Sequence, residues 1–210
     1  MNRDVFVNCP LDDEYRPLFQ ALVFVIADCG FRARCALEIL DSGETRADKL
    51  RRLIRECRYG IHDLSRTEPD KGSGLPRFNM PFELGLDVGC KFFGRQHRER
   101  AKRILVLAKE RYEYQKYLSD IAGQDIMAHH NSAEDLIAVV RAWLQRDEDG
   151  DALPGAAVIK ARYEQFRCDL PNILAELHLG DGDLTNFADF HNCISVWLQV
   201  NESPRAPRHR

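Results

Sequence analysis

The sequence predicts an α/β protein: a five-stranded parallel sheet with helices on both faces, followed by C-terminal helices. Three observations predict it. Strand-like apolar runs alternate with segments of helical apolar spacing through about residue 145. Parallel strands need crossover connections, which such alternation supplies. The run Ile104-Leu105-Val106-Leu107-Ala108 is apolar at every position, as suits a central strand covered on both faces. With 210 residues, 44% hydrophobic and 30% charged, the chain can bury one substantial core and a small appendage.

Residues 4–7 read as the first strand. After turn residues 8–13, residues 15–29 carry apolar positions at helical spacing until Gly30 stops them, and residues 31–37 make the second strand. Thr45 opens the second helix through a capping box with Asp48, and Ala47, Leu50, Leu53, Ile54 and Cys57 fall on one stripe. Residues 59–63 are a short third strand. A long loop, 64–79, follows with Pro69, Gly72, Gly74 and Pro76, and loops of this length inside compact domains are commonly functional.

The next segment, Asn79-Met80-Pro81-Phe82-Glu83-Leu84-Gly85-Leu86-Asp87-Val88-Gly89, is the most informative in the chain. Pro81 reads as a helix start that places Glu83 in the first turn, near the positive end of the helix, where a carboxylate stays ionised. Asp87 follows four residues later on the same face, while Gly85 and Gly89 line a side smooth enough to press against a sheet. This helix runs to about Phe93. Residues 104–108 are the fourth strand and residues 125–128 a weaker fifth. Ser132 with Asp135 then caps a helix bearing Leu136, Ile137, Val139, Val140, Trp143 and Leu144.

The α/β domain is thus expected to span residues 1–146, with a connector rich in Asp, Gly and Pro at 147–155 and a helical extension at 156–202. Helices are expected at 156–170, 173–179 and 187–200. They either fold back on the sheet domain or build an oligomer contact, and residues 203–210 form a disordered basic tail. The sequence contains no internal repeat.

Thirty Lys and Arg against 33 Asp and Glu give a net charge of -3, which supplies no global attraction to nucleic acid or an anionic membrane. Seven cysteines (Cys9, Cys29, Cys35, Cys57, Cys90, Cys168, Cys193) lie in apolar contexts without CxxC or metal spacing, so buried reduced thiols are expected. The polar N-terminus runs straight into a strand, and no apolar stretch nears the roughly 20 residues a membrane span requires. A cytoplasmic protein is expected.

In an open parallel sheet, ligands bind beyond the carboxyl ends of the strands. The loops there carry Asn8, Asp12, Asp13 and Tyr15, then Asp41, Glu44 and Arg46, then His62, Asp63, Ser65 and Arg66. Asp63 and Glu83 stand out as a pair of carboxylates able to divide labour, one ionised and one a proton donor. Cleaving an N-glycosidic bond uses both roles: a carboxylate stabilises the oxocarbenium-like sugar, and an acid protonates a departing base. Nicotinamide needs no acid, because it leaves neutral.

These residues resemble a known family. Ile61-His62-Asp63-Leu64-Ser65, the variable loop, Phe82-Glu83-Leu84-Gly85-Leu86-Asp87-Val88-Gly89 and the strand 104–108 look like nucleoside 2-deoxyribosyltransferases and their TIR-like relatives, over roughly residues 4 to 145. The resemblance implies a flavodoxin-like three-layer sandwich. It also implies that Glu83 is the nucleophile or cation stabiliser and that Asp63 binds or protonates the base. Asn8, Asp12, Tyr15, Arg46, Ser65, Arg66, Asn79 and Asp87 are then expected to line the substrate pocket. The implied activity is N-glycosidase or N-glycosyltransferase action on a nucleoside, nucleotide or NAD. The alternative is a TIR-like nucleotide-sensing or interaction module that oligomerises without chemistry. No metal and no cofactor are expected, NAD being a candidate substrate, and a homo-oligomer is expected. The chain departs from the transferases after strand one, where Asn8-Cys9-Pro10-Leu11 replaces a Gly-Pro turn.

Plainer readings stand beside these. A first-turn carboxylate also serves as a helix-dipole partner worth about 0.3 to 1 kcal/mol, Asp63 also suits a cap on the loop that follows it, and Gly85 and Gly89 also suit packing. His62 points away from Asp63 by strand alternation and reads as a packed histidine. His129 and His130 lack metal spacing. Tyr112, Tyr114 and Tyr117 form a helix-spaced patch for packing, an interface or stacking. A phosphoacceptor receiver would need acids at the end of strand one and a lysine after strand five, where Ala128-His129-His130-Asn131 stands instead.

Overall fold

A computed structural model describes residues 2–38, 42–66, 74–75, 77–121, 123–145 and 152–201. Asp41, Pro69, Gly72, Pro76, the first part of the connector and the basic tail lie outside the described residues. The strands are β1 (Asp4–Asn8), β2 (Arg32–Arg34), β3 (Tyr59–Asp63), β4 (Arg103–Ala108) and β5 (Met127–Ala128). They form one parallel sheet in the order β2-β1-β3-β4-β5. The helices are α1 (Arg16–Asp28), α2 (Arg46–Glu56), α3 (Asn79–Phe93), the short α4 (His97–Arg100), α5 (Ala133–Gln145), α6 (Ala156–Glu176) and α7 (Phe187–Val200). The three-layer α/β arrangement is consistent with a flavodoxin-like fold, as expected.

Alternation along the strands decides what each face holds. Val5, Val7, Tyr59, Ile61, Leu105 and Leu107 pack into the core shared with α1 and α5. On the opposite face, Phe6 meets Leu50, Leu53, Ile54 and Cys57 of the α2 region, and Val106 meets Met80 and Leu84 of α3. The capping signals hold: Thr45 Oγ1 accepts from Asp48 N–H at 3.2 Å, Ser132 Oγ from Asp135 N–H at 3.2 Å, and Gly30 takes φ +79° at the end of α1.

The C-terminal helices fold back on the sheet domain. α1 is apolar all round because it is covered on both sides: the sheet lies beneath it, and Phe24 stacks outward against Tyr163, Phe166 and Trp197 at 5.2, 5.2 and 5.6 Å between ring centres. Arg162 of α6 grips the fully buried Asp28 carboxylate at 2.9 Å, a charge-assisted contact that fixes the layer. Among the described residues, no helix is long and apolar enough to cross a membrane.

Several expectations are corrected. α6 runs unbroken through Pro171, where two helices were expected, because burial of Phe166, Ile173 and Leu174 on either side outweighs the missing N–H. β2 is shorter, since the chain turns after Arg34 into a 3-10 turn, Ala36–Glu38, clasped by an Arg34–Glu38 ion pair. Ala47 is exposed and lies off the buried stripe. Tyr114 is buried whereas Tyr112 and Tyr117 are exposed, so they form no common patch.

α3 departs most. It begins at Asn79 with Phe78 before it, so Pro81 is its third residue and Glu83 lies in the second turn, not the first. Gly85 and Gly89 face open space, not the sheet. The close approach is made instead by Gly60 on β3, where a Cβ would stand 2.0 Å from Asp87 Oδ2. Gly60→Ala is therefore expected to lower stability by about 2 kcal/mol or more in urea titrations. Gly123→Ala, at an exposed turn with open space, should change it by less than about 0.5 kcal/mol.

Candidate functional site at the carboxyl ends of β1 and β3

The chain reverses its direction of winding between β1 and β3, and the crevice outside their carboxyl ends is the topological switch point. Asn8 ends β1 and Asp63 ends β3. A buried polar chain begins there. Asn8 Nδ2 donates to Met80 O at 3.0 Å and to His62 Nδ1 at 2.9 Å. A reversed amide would set two oxygens against each other at Met80, so the amide orientation is fixed and His62 carries its proton on Nε2. That proton goes to Asp87 Oδ2 at 2.9 Å. Asp87 Oδ1 pairs with Lys102 Nζ at 3.1 Å, and the same ammonium donates to the carbonyls of Ile54, at 2.6 Å, and Cys57. Lys102 thus spends its donors on one carboxylate and on the open carbonyls at the C-terminal end of α2.

This chain pins the inward face of α3, on which Glu83 lies between Met80 and Asp87. Glu83 is 4% exposed, and Arg46, the first residue of α2, sets its Nη2 3.9 Å from Oε1. Burial pushes its carboxyl up from 4.5 to about 7, against a smaller downward pull from Arg46. Glu83 therefore does not stay firmly ionised, as a first-turn position would have made it. It is poised near neutrality.

Asp63 is the opposite case. It has no exposure, and its oxygens accept from Tyr15 O–H and His129 Nε2 (3.0 Å) on one side and from Ser65 N–H (2.8 Å) on the other. Burial pushes its pKa up, but the His129 contact, the Ser65 bond and the Tyr15 hydroxyl together outweigh burial and hold it below the ordinary carboxylate value. The Ser65 bond is the loop cap that sequence offered as the plainer reading. Tyr15 is buried on Asp63, and its hydroxyl is pushed well above 10 by burial first and by that carboxylate next.

Asp63, His129 and Ser65 touch one another as hydrolytic triads do, yet the bond pattern excludes that chemistry. His129 Nδ1 accepts from Asn131 N–H at 3.1 Å, so the proton sits on Nε2, and Nε2 faces both Asp63 and Ser65 Oγ, the latter at 2.9 Å. A base for Ser65 needs a lone pair on that nitrogen. Left-handed backbone at His130 (φ 51°) and Asn131 (φ 54°) turns the chain tightly enough to bring this histidine inward.

Cys9, next after Asn8, is buried, and its thiol is pushed well above 9, by burial first and then by Asp63, Cys35, Glu83 and Asp12. It stays a thiol and is no nucleophile. All seven cysteines are free. Arg66 straps the β1 loop to the β3 loop, with NH2 at 2.7 Å from Asp12 and 2.8 Å from Glu14. Asp12 is held below its ordinary pKa because the Arg66 and Tyr15 bonds outweigh its partial burial. Arg66 also divides two hollows: one of about 240 Å³ against Ser65, Lys109 and Asn131, and one of about 140 Å³ against Phe78, Met80 and Tyr117.

Of the residues expected from sequence, Glu83 and Arg46 come together at 3.9 Å, Asn8 is buried with Oδ1 unpartnered among the described residues, and Asn79 is exposed at the start of α3. Asp12 and Arg66 hold each other. Asp63 and Asp87 have no exposed surface, while Tyr15 and Ser65 line the hollow of about 240 Å³, with Ser65 Oγ on His129. Sequence reasoning missed Lys102 and His129. Lys102 follows a run of surface-type charges with no apolar period, and the His129 bend shows no Gly or Pro signal. Among the described residues, no group of three or more His, Cys, Asp or Glu could hold a metal ion. No family model matches the chain, and no curated protein matches it either.

Between about pH 4.5 and 7 the folded protein keeps a proton on Glu83 that the unfolded chain has released, so this residue lowers stability as pH rises through that window. Glu83→Gln lacks the effect. Relative to the parent, the variant should gain on the order of 3 kcal/mol of folding stability between pH 5 and pH 8. Denaturant titrations at the two pH values measure this, and a gap that does not change with pH would show that Glu83 is not raised.

Proposed function

We propose that this protein breaks the N-glycosidic bond of a nucleotide, with Glu83 as the carboxylate set against the sugar. The observation that carries the reading is Glu83 itself, a carboxyl buried at the switch point beside Arg46 with its pKa near 7. A buried carboxylate stabilises positive charge on a sugar far better than one in water, because the interaction is poorly screened. Position beyond the strands, together with the likeness of residues 82–89 to the transferase and TIR-like helix, supports the assignment.

The leaving group follows from the proton inventory. Asp63 is kept ionised by its donors and has no exposure, so it is not a proton source for a departing base. Glu83 works in its ionised form and cannot supply one at the same moment. A base that departs without protonation suits such a site, and the pyridinium of NAD is one: the C1′–N bond breaks, its electron pair neutralises the ring, and nicotinamide leaves. Water or another nucleophile adds at C1′.

The test is product release from NAD and, in parallel, from adenosine, deoxyadenosine and cytidine, followed by chromatography. Nicotinamide release is expected, reduced about a hundredfold or more in Glu83→Gln. It should rise with pH through about 7 as Glu83 ionises. Arg46→Ala should move that limb to higher pH, since the Arg46 charge pulls Glu83 downward. Equal release by parent and Glu83→Gln, or release of purine without nicotinamide, would overturn the proposal.

A further inference from the structure

α3 shows two opposite faces. Met80, Glu83, Leu84 and Asp87 point into the protein. On the far side Phe78, Phe82, Phe92 and Phe93 are 65, 62, 68 and 87% exposed, and the two glycines between them, Gly85 and Gly89, have nothing within 4 Å of the place a Cβ would take. Phenylalanines bury about 150–250 Å² each when covered, so these four leave roughly 500 Å² of ring surface in water. Patches of that size on a monomer mark contact sites.

The order of the stripe says what covers it. From Phe82 to Gly85, Gly85 to Gly89 and Gly89 to Phe92 the steps are three, four and three residues. Turning the helix end for end about Asp87 maps Phe82 onto Phe92 and Gly85 onto Gly89. A two-fold contact demands such self-complementarity, because the same patch must serve on both sides; a different partner makes no such demand.

We propose that α3 is the contact face of a homodimer in which two copies cross antiparallel, Gly85 of each lying against the partner's Gly89 and Phe82 against the partner's Phe92. The glycines let the helix axes approach closely, and the antiparallel crossing sets opposite dipole ends together. The rings supply roughly 500 of the about 800 Å² that each partner commonly gives to a stable interface, and Arg77, Asn79 and Arg95 at the flanks extend it. The inward residues of α3 are untouched, so this surface is independent of the reading given to Glu83.

Sedimentation equilibrium tests the proposal. The parent should be a dimer at low micromolar concentration, and Phe82→Lys and Phe92→Glu should each be monomeric with unchanged circular dichroism. An equimolar mixture of the two should return to dimer, because one crossing then pairs Lys with Glu and the other Phe with Phe. A monomeric parent, a dimer that survives either substitution, or a mixture that stays monomeric would each overturn it. The mass of the parent decides the first point whether or not the variants fold.

Discussion

Asp87 is the constraint on which the rest is built. A carboxylate with no exposure costs several kcal/mol in lost hydration unless it is paired and hydrogen-bonded where it lies, and here Lys102 supplies the opposite charge and His62 a hydrogen bond. Each partner is committed in turn, Lys102 to the last carbonyls of α2 and His62 to Asn8, whose amide returns to α3 at Met80. The loop of contacts ties three strand ends and two helices into one polar unit, in which removing one member strands the others. Gly60 belongs to the same device, since only a residue without a side chain lets the carboxylate reach so near the sheet.

The two buried acids, Asp63 and Glu83, show how environment divides identical chemistry. Asp63 meets three donors and is held ionised; Glu83, buried, has a guanidinium only at 3.9 Å and is raised. The sequence-based pairing anticipated such a division with the roles reversed, Glu ionised and Asp the proton donor. The physical reason lies in donors that no local pattern announces: a tyrosine from the β1 loop and a histidine from beyond β5 converge on Asp63, while the helix start that would have placed amide groups near Glu83 sits a full turn away.

What was legible in the sequence was periodicity and punctuation. β3 and α7 match their predicted limits, Thr45, Ser132 and Gly30 act as the caps they resemble, and Leu50, Leu53 and Ile54 face the core. These features depend on neighbours in the chain. Tertiary demands overrode the rest: α6 continues through Pro171 because the apolar residues on both sides have a common surface to cover, and α3 starts at Asn79, two residues before Pro81. Lys102 was beyond reach altogether. A lysine among surface charges reads as solvated, and only the meeting of α2, α3 and β4 makes it a core residue. Glu83 itself was found by position, and its raised pKa was not, since burial is a property of the assembled site.

The C-terminal helices sit over α1 at a cost in time. Asp28 and Arg162 are 134 residues apart, and Phe24 waits longer still for Tyr163, Phe166 and Trp197. Contacts so remote in the chain are slow to close. While the polypeptide is being made, one side of α1 stays greasy and uncovered until α6 and α7 have left the ribosome, which makes this helix a segment where nascent chains would stick to one another or draw a chaperone.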